Sequence, residues 1–158
     1  MYTYISNNEN DTLRFAQRIA SRLSNKDVIV LTGDLGSGKT KFTQGVLEHF
    51  GLGKEISSPT FTIVNEYDTS TTPLYHFDVY RLSSVDEFYA IGGEEYFENG
   101  ICIVEWGEII QEALPDTYIQ IKFERNLENP NERILNIYTF GNVRNELIEL
   151  FENLQKGA

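Results

Sequence analysis

Four apolar residues, Val28-Ile29-Val30-Leu31, run without a polar interruption and lead almost directly into Gly33-Asp34-Leu35-Gly36-Ser37-Gly38-Lys39-Thr40. An unalternated run of this kind suits a strand buried on both faces. The octapeptide fits G-x-x-x-x-G-K-[S/T] in full. Helix-forming sequence follows from Lys39 to about Phe50, ended by Gly51 and Gly53. Strand, glycine-rich turn and helix, in that order, form the setting in which such a turn cradles phosphate. Glycines permit a tight loop whose amides converge on an anion, and the helix N-terminus adds positive potential at the same point. Gly33, Asp34, Leu35, Gly36, Ser37 and Gly38 therefore read as the cradle. Lys39 offers a mobile positive charge to the β- and γ-phosphates, and the Thr40 hydroxyl is a hard oxygen ligand for Mg²⁺. The amides of Lys41 and Phe42 fall near the α-phosphate. Few architectures hold a strand buried on both faces; a layered α/β sheet is the one that this motif calls for.

The rest of the chain agrees. Tyr2 to Ile5 can form a short strand. Asn7, Asn8 and Asn10 supply capping chemistry for a helix near Glu9–Leu23. Its inner face reads as Leu13, Ala16, Ile19, Ala20 and Leu23, its outer face as the stripe Arg14, Arg18 and Arg22. That stripe is a solvated face or a docking surface for an acidic partner or for RNA. Phe61–Tyr67 and Pro73–Tyr80 read as a hairpin, as do Thr117–Phe123 and Arg133–Phe140 around Asn129-Pro130-Asn131. Short helical pieces are expected at Val85–Tyr89 and Glu94–Phe97. Ile101-Cys102-Ile103-Val104 is a second uninterrupted apolar run, and Asn142 can cap a last helix to Leu154. The expected fold is a three-layer α/β domain over residues 1–158, a mixed and largely parallel central sheet flanked by helices, with the motifs inside about 4–140.

Composition narrows the function classes. Thirteen basic against 24 acidic side chains leave a net charge of −11, which opposes broad binding to a phosphate backbone. One cysteine, Cys102, excludes an intramolecular disulfide and any multi-cysteine metal site. The N-terminus lacks the basic start and apolar run of a signal peptide, and no segment approaches the roughly 20 apolar residues of a membrane span. A soluble cytoplasmic protein is expected.

Phosphoryl transfer needs an acidic group for the metal shell and another to orient the nucleophile. Glu105 follows Ile101–Val104, and Asp78 follows Leu74-Tyr75-His76-Phe77. Ligands of open α/β sheets collect at the carboxyl ends of strands, so both can face the phosphates. Glu105 is assigned to Mg²⁺ because its strand is the more apolar, and Asp78 to water; the reverse assignment stays open. Arg81 either stabilises transition-state charge or pairs with a local acid. Thr60, with Ser58 beside Pro59, sits in a hydroxyl-rich loop of the kind that senses a γ-phosphate. His76 reads as a packed strand residue, and Trp106 as ordinary packing, or as a residue packed over the site or against a partner.

Gly33–Thr40, Ser58-Pro59-Thr60-Phe61-Thr62, His76-Phe77-Asp78-Val79-Tyr80-Arg81, Val104-Glu105-Trp106 and Leu114-Pro115 together resemble the TsaE family of bacterial tRNA threonylcarbamoyladenosine biosynthesis. The resemblance spans roughly Tyr4 to Phe140. It implies a P-loop fold, Mg²⁺-dependent ATP binding with slow hydrolysis, and work alongside TsaB and TsaD, with tRNA met only through that complex. It makes Lys39 and Thr40 the phosphate and metal residues, Asp78 the acid that assists hydrolysis, Glu105 the acidic metal-site residue, Thr60 part of a switch-like loop and Trp106 a neighbour of the site. Glu9 to Thr12 and Arg133 fall where the family lines the outer side of the nucleotide. Two positions depart from the pattern: Lys41 stands where a second threonine is usual, and Gly107 where proline is frequent.

Two other classes compete. A P-loop small-molecule or nucleotide kinase commonly closes a basic lid over the transferred phosphate. Here no Lys or Arg occurs between Leu82 and Ile121, a stretch holding Asp86, Glu87, Glu94, Glu95, Glu98, Glu105, Glu108, Glu112 and Asp116. That stretch instead suits a positively charged protein partner or a solvated surface. A nucleotide-dependent binding module with negligible turnover is the third class. No N-K-x-D-type element selects guanine, so the choice of ATP rests on the resemblance.

Overall fold

The computed structural model describes residues 1–34, 36–56 and 63–155. The chain runs β1 (Tyr2–Ser6), α1 (Glu9–Ala20), β2 (Val28–Thr32), α2 (Lys39–His49), β3 (Val64–Tyr67), β4 (Leu74–Asp78), α3 (Val85–Ala90), α4 (Gly93–Glu98), β5 (Ile101–Glu105), β6 (Tyr118–Asn126), β7 (Asn129–Phe140) and α5 (Asn145–Gln155). A 3-10 turn over Gly53–Glu55 follows α2, and a longer 3-10 segment over Gly107–Ala113 follows β5.

The apolar runs become the centre of a mixed seven-stranded sheet ordered β1-β7-β6-β2-β5-β4-β3. β2 pairs in parallel with β5 and β6, and β5 with β4. Antiparallel pairs, β1 with β7, β7 with β6 and β4 with β3, close both flanks. Strand side chains alternate between faces, and the two cores follow that alternation. Ile29, Leu31, Leu74, Ile101 and Ile103 join Phe15, Ile19, Phe42, Val46 and Phe151 on the face covered by α1, α2 and α5. Val28, Val30, Tyr75, Phe77, Cys102 and Val104 join Phe88, Phe97 and Ile110 on the other. The accessible surface, 8370 Å², is near the roughly 8,000 Å² expected for a compact chain of this mass.

Some boundaries and faces differ from expectation. α1 stops at Ala20, and Asn8 alone of the three candidate asparagines is its cap, accepting a hydrogen bond from the Asp11 amide. Its buried face includes Thr12 and Phe15, while Leu13 and Leu23 are only half-buried. The face rotates because α2 presses so closely: a Cβ on Gly45 would lie 2.6 Å from the Leu13 carbonyl oxygen. In the arginine stripe Arg14 and Arg18 are exposed, as a solvated face would have them, and Arg22 is half-buried. Arg14 pairs with Asp11, and Arg22 donates to the Glu146 carbonyl at 2.7 Å, tying α1 to α5. Asn142 does not cap α5, which begins at Asn145; its amide donates to Thr117 Oγ1 instead. The second hairpin turns tightly at Leu127-Glu128, because β6 and β7 both extend further than expected. Residues 130–132 bulge out of β7 between the pairs Arg125–Arg133 and Asn126–Asn129.

Candidate active site

The glycines of the Lys39 loop take the backbone their pattern implies. Gly36 and Gly38 have φ of 77° and 114°, in the left-handed region open to glycine. The loop is also pressed against β6: a Cβ on Gly33 would meet the Phe123 carbonyl oxygen at 2.7 Å, and one on Gly36 would meet the Arg125 guanidinium. α2 starts without a side-chain cap. Its first closed helical bond runs from the Phe42 amide to the Gly38 carbonyl, 3.0 Å. The amides of Lys39, Thr40 and Lys41 are thus the donors that a helix N-terminus leaves for a ligand.

These residues floor a cavity of about 390 Å³, a size usual for small-molecule sites. Gly36, Gly38, Lys39, Thr40 and Lys41 line it from the loop side, and Asp78, Glu105 and Trp106 from the strand ends. Asn8, Glu9 and Thr12 at the start of α1, with Pro130, Asn131 and Arg133 of β7, wall its outer side. Asp78 and Glu105 are register partners on β4 and β5, so neighbouring strands deliver both carboxylates to the same edge. Asp78 Oδ1 accepts the Tyr80 amide at 3.0 Å.

Glu105 is 9% exposed and Lys39 6%. Lys39 Nζ sits 4.0 Å from Glu105 Oε1 and 4.6 Å from the centre of the Trp106 ring. The opposite oxygen, Oε2, lies 2.6 Å from His76 Nε2. Trp106 itself has φ of 66°, an unfavourable backbone for a residue with a Cβ, and its ring lies 4.9 Å from that of Tyr80, which is 60% exposed. Two hydroxyls, Thr32 Oγ1 at the end of β2 and Ser37 Oγ in the loop, are buried without a hydrogen-bond partner among the described residues.

A model of the family described as "Threonylcarbamoyl adenosine biosynthesis protein TsaE" matches residues 6–134. This chain belongs to the TsaE family. Among its relatives, the TsaE of Bacillus subtilis is 41% identical over 150 residues, 94% of this chain and 90% of the relative. The TsaE of Treponema pallidum is 39% identical over 131 residues, 82% and 96% of the two chains. The crystal structure of Bacillus subtilis YdiB superposes with a TM-score of 0.71 at 35% identity, covering 98% of this chain and 94% of that one. Among the described residues of this TsaE chain, no helix is long and apolar enough to cross a membrane.

Of the residues singled out in the sequence, Gly36, Gly38, Lys39, Thr40, Lys41, Asp78, Glu105 and Trp106 meet in one cavity. Gly33, Asp34 and Ser37 support the loop from behind; the Ser37 amide closes it by donating to the Asp34 carbonyl at 3.0 Å. Arg81 is exposed and outside the lining, because the chain turns away after Asp78. Leu35 and Thr60, with the rest of 57–62, lie outside the described residues. Four contributors escaped sequence reasoning. Asn8 was visible only as a cap. Pro130 and Asn131 looked like a hairpin turn and instead bulge toward the loop. His76 looked like packing, although the spacing His76-x-Asp78 on one strand already put both on the same face.

Proposed function

We propose that this TsaE chain binds Mg²⁺–ATP in the Lys39 cavity and hydrolyses it slowly to ADP and phosphate, as an accessory of tRNA threonylcarbamoyladenosine modification that acts with TsaB and TsaD. The observation that carries the reading is the convergence of Lys39, Thr40, Asp78 and Glu105 on one cavity floored by a helix N-terminus. The donor set suits the ion. Thr40 offers a hydroxyl and Asp78 and Glu105 offer carboxylates, all hard oxygens of the kind Mg²⁺ takes. Among the described residues, no group of three or more His, Cys, Asp or Glu side chains forms a metal cage. Mg²⁺ is commonly held by one or two carboxylates plus the substrate's own phosphates. When bound, Mg²⁺ neutralises charge developing on the phosphates.

The chain's own residues supply the rest. The amides of Lys39, Thr40 and Lys41 take the triphosphate. Lys39, now beside Glu105 and the Trp106 ring, would turn to the phosphate oxygens, and Glu105 would then be the carboxylate that holds the metal through Oε1. Asp78, its orientation fixed by the Tyr80 amide, uses its second oxygen to align the attacking water. The water oxygen bonds to the γ-phosphorus, the β–γ bridging bond breaks, ADP leaves, and the water's proton passes to solvent.

Calorimetry with Mg²⁺–ATP tests binding, and phosphate release with and without small-molecule acceptors tests the reaction. Absence of uptake refutes the site. Net transfer to an acceptor, rather than to water, replaces the hydrolase by a kinase. Reconstitution of tRNA modification with and without this chain tests its place beside TsaB and TsaD.

A further inference from the structure

His76 lies in the middle of β4, is 3% exposed, and serves none of the steps above. Alternation along the strand puts Leu74, His76 and Asp78 on one face and sends Tyr75 and Phe77 to the opposite core. Ile103, its register partner on β5, shares that face with Glu105. A buried imidazole in this apolar layer is costly unless it is hydrogen-bonded. Its Nε2 reaches Glu105 Oε2 at 2.6 Å, while its Nδ1 is buried without a partner among the described residues. With Glu105 a carboxylate beside the Lys39 ammonium, so short a contact requires a proton on Nε2; a lone pair there would face an acceptor.

We propose that His76 is a positioning residue that clamps Oε2 of Glu105 and so aims Oε1 at the metal shell. The proposal rests on the Mg²⁺–ATP reading of the same site. Its physical basis is an asymmetry between the two oxygens. Oε1 faces Lys39 at 4.0 Å, too far for a hydrogen bond and easily exchanged for phosphate. Oε2 is held at hydrogen-bond distance by a ring that β4 fixes in place. Once Lys39 turns to the phosphates, His76 is the contact that keeps the carboxylate from swinging. Histidines and carboxylates that orient a metal ligand from behind typically set metal affinity by about 10- to 100-fold.

The test compares His76→Leu, which removes the donor, with His76→Gln, whose side-chain amide can present a donor near the Nε2 position. Binding of Mn²⁺ in the presence of ATP is read by electron paramagnetic resonance, and ATP binding without metal by calorimetry. His76→Leu is expected to weaken Mn²⁺ by about 10-fold or more, with metal-free ATP binding little changed, and His76→Gln to recover most of the loss. Long-range ¹H–¹⁵N spectra of the unliganded wild type give a readout independent of nucleotide. The chain has two histidines, so replacing exposed His49 assigns the His76 ring, which is expected to carry a proton on Nε2. Should His76→Leu fail to fold, the spectra and His76→Gln still decide. A proton on Nδ1 alone overturns the proposal, as does Mn²⁺ binding unchanged in folded His76→Leu while the wild type binds normally. A wild type that takes up no metal–ATP overturns the nucleotide reading and this one with it.

Discussion

Glu105→Gln should strengthen the binding of ATP in the absence of metal and weaken the gain that Mg²⁺ brings. The substitution keeps the side chain's shape and leaves an oxygen to accept from His76. It removes the charge that holds Lys39 away from the phosphates. At the observed 4.0 Å and an effective dielectric of about 20, the Lys39–Glu105 attraction is roughly 4 kcal/mol. Much of that is offset by the desolvation of two buried groups. Because 4.0 Å is too long for a hydrogen bond, the net cost of separating the pair falls at or below the range for charged hydrogen bonds, about 1–2 kcal/mol. Loss of this competing contact therefore predicts about 5- to 30-fold tighter metal-free ATP binding. Titration calorimetry in excess chelator measures it, and the same titration with Mg²⁺ measures the lost gain. Unchanged or weaker chelator-phase binding would refute the idea that Glu105 and the phosphates compete for Lys39.

Asp78→Ala should lower phosphate release by about 100-fold or more while ATP still binds, since the role assigned to it is orientation of water rather than of nucleotide; full turnover removes it from that role. Gly45→Ala should lower the urea midpoint. A Cβ there would lie 2.6 Å from the Leu13 carbonyl and 2.7 Å from Ala16 Cβ, and overpacking of about 1–3 kcal/mol outweighs about 1 kcal/mol of helix propensity; a raised midpoint would show that α1 yields freely. The Cys102 thiol is pushed up to about 12 by burial. It should resist disulfide-exchange reagents at pH 8 and react quickly in urea. Because the folded thiol keeps its proton, stability should decline as pH rises from about 8.5, the unfolded value, toward the folded one. Equal labelling rates in native and urea-treated protein would contradict the burial.

What could be seen in the sequence was what nearest neighbours along the chain determine. Val28–Leu31 and Ile101–Val104 announce central strands because burial on both faces leaves no room for polar alternation, and they pair in parallel at the middle of the sheet. The Lys39 loop is legible for the same reason: its glycines answer a local backbone demand. The rotation of α1 was not, because it depends on Gly45, which admits the Leu13 backbone from 32 residues away in the chain. The hairpin bulge was not either. Asn129-Pro130-Asn131 carries every local mark of a turn, yet the extended pairing of β6 with β7 places the turn at Leu127-Glu128 and leaves 130–132 to lean over the loop.

The strand-end carboxylates show where the boundary between the two lies. Each was found from its own strand, but their relation to one another depends on the register of β4 against β5, which no local pattern states. In-register pairing of Asp78 with Glu105 and of His76 with Ile103 makes His76 a diagonal neighbour of Glu105 on the same face. That places a ring donor, a lysine and an acid in one line, His76 to Oε2 and Lys39 to Oε1. A one-residue slip would turn His76 into the opposite core, in the place Phe77 now takes beside Phe88 and Phe97, and leave Glu105 with Lys39 alone. The apolar runs that fix the register are therefore part of the site's chemistry: they decide which oxygen of Glu105 is held and which is free to move.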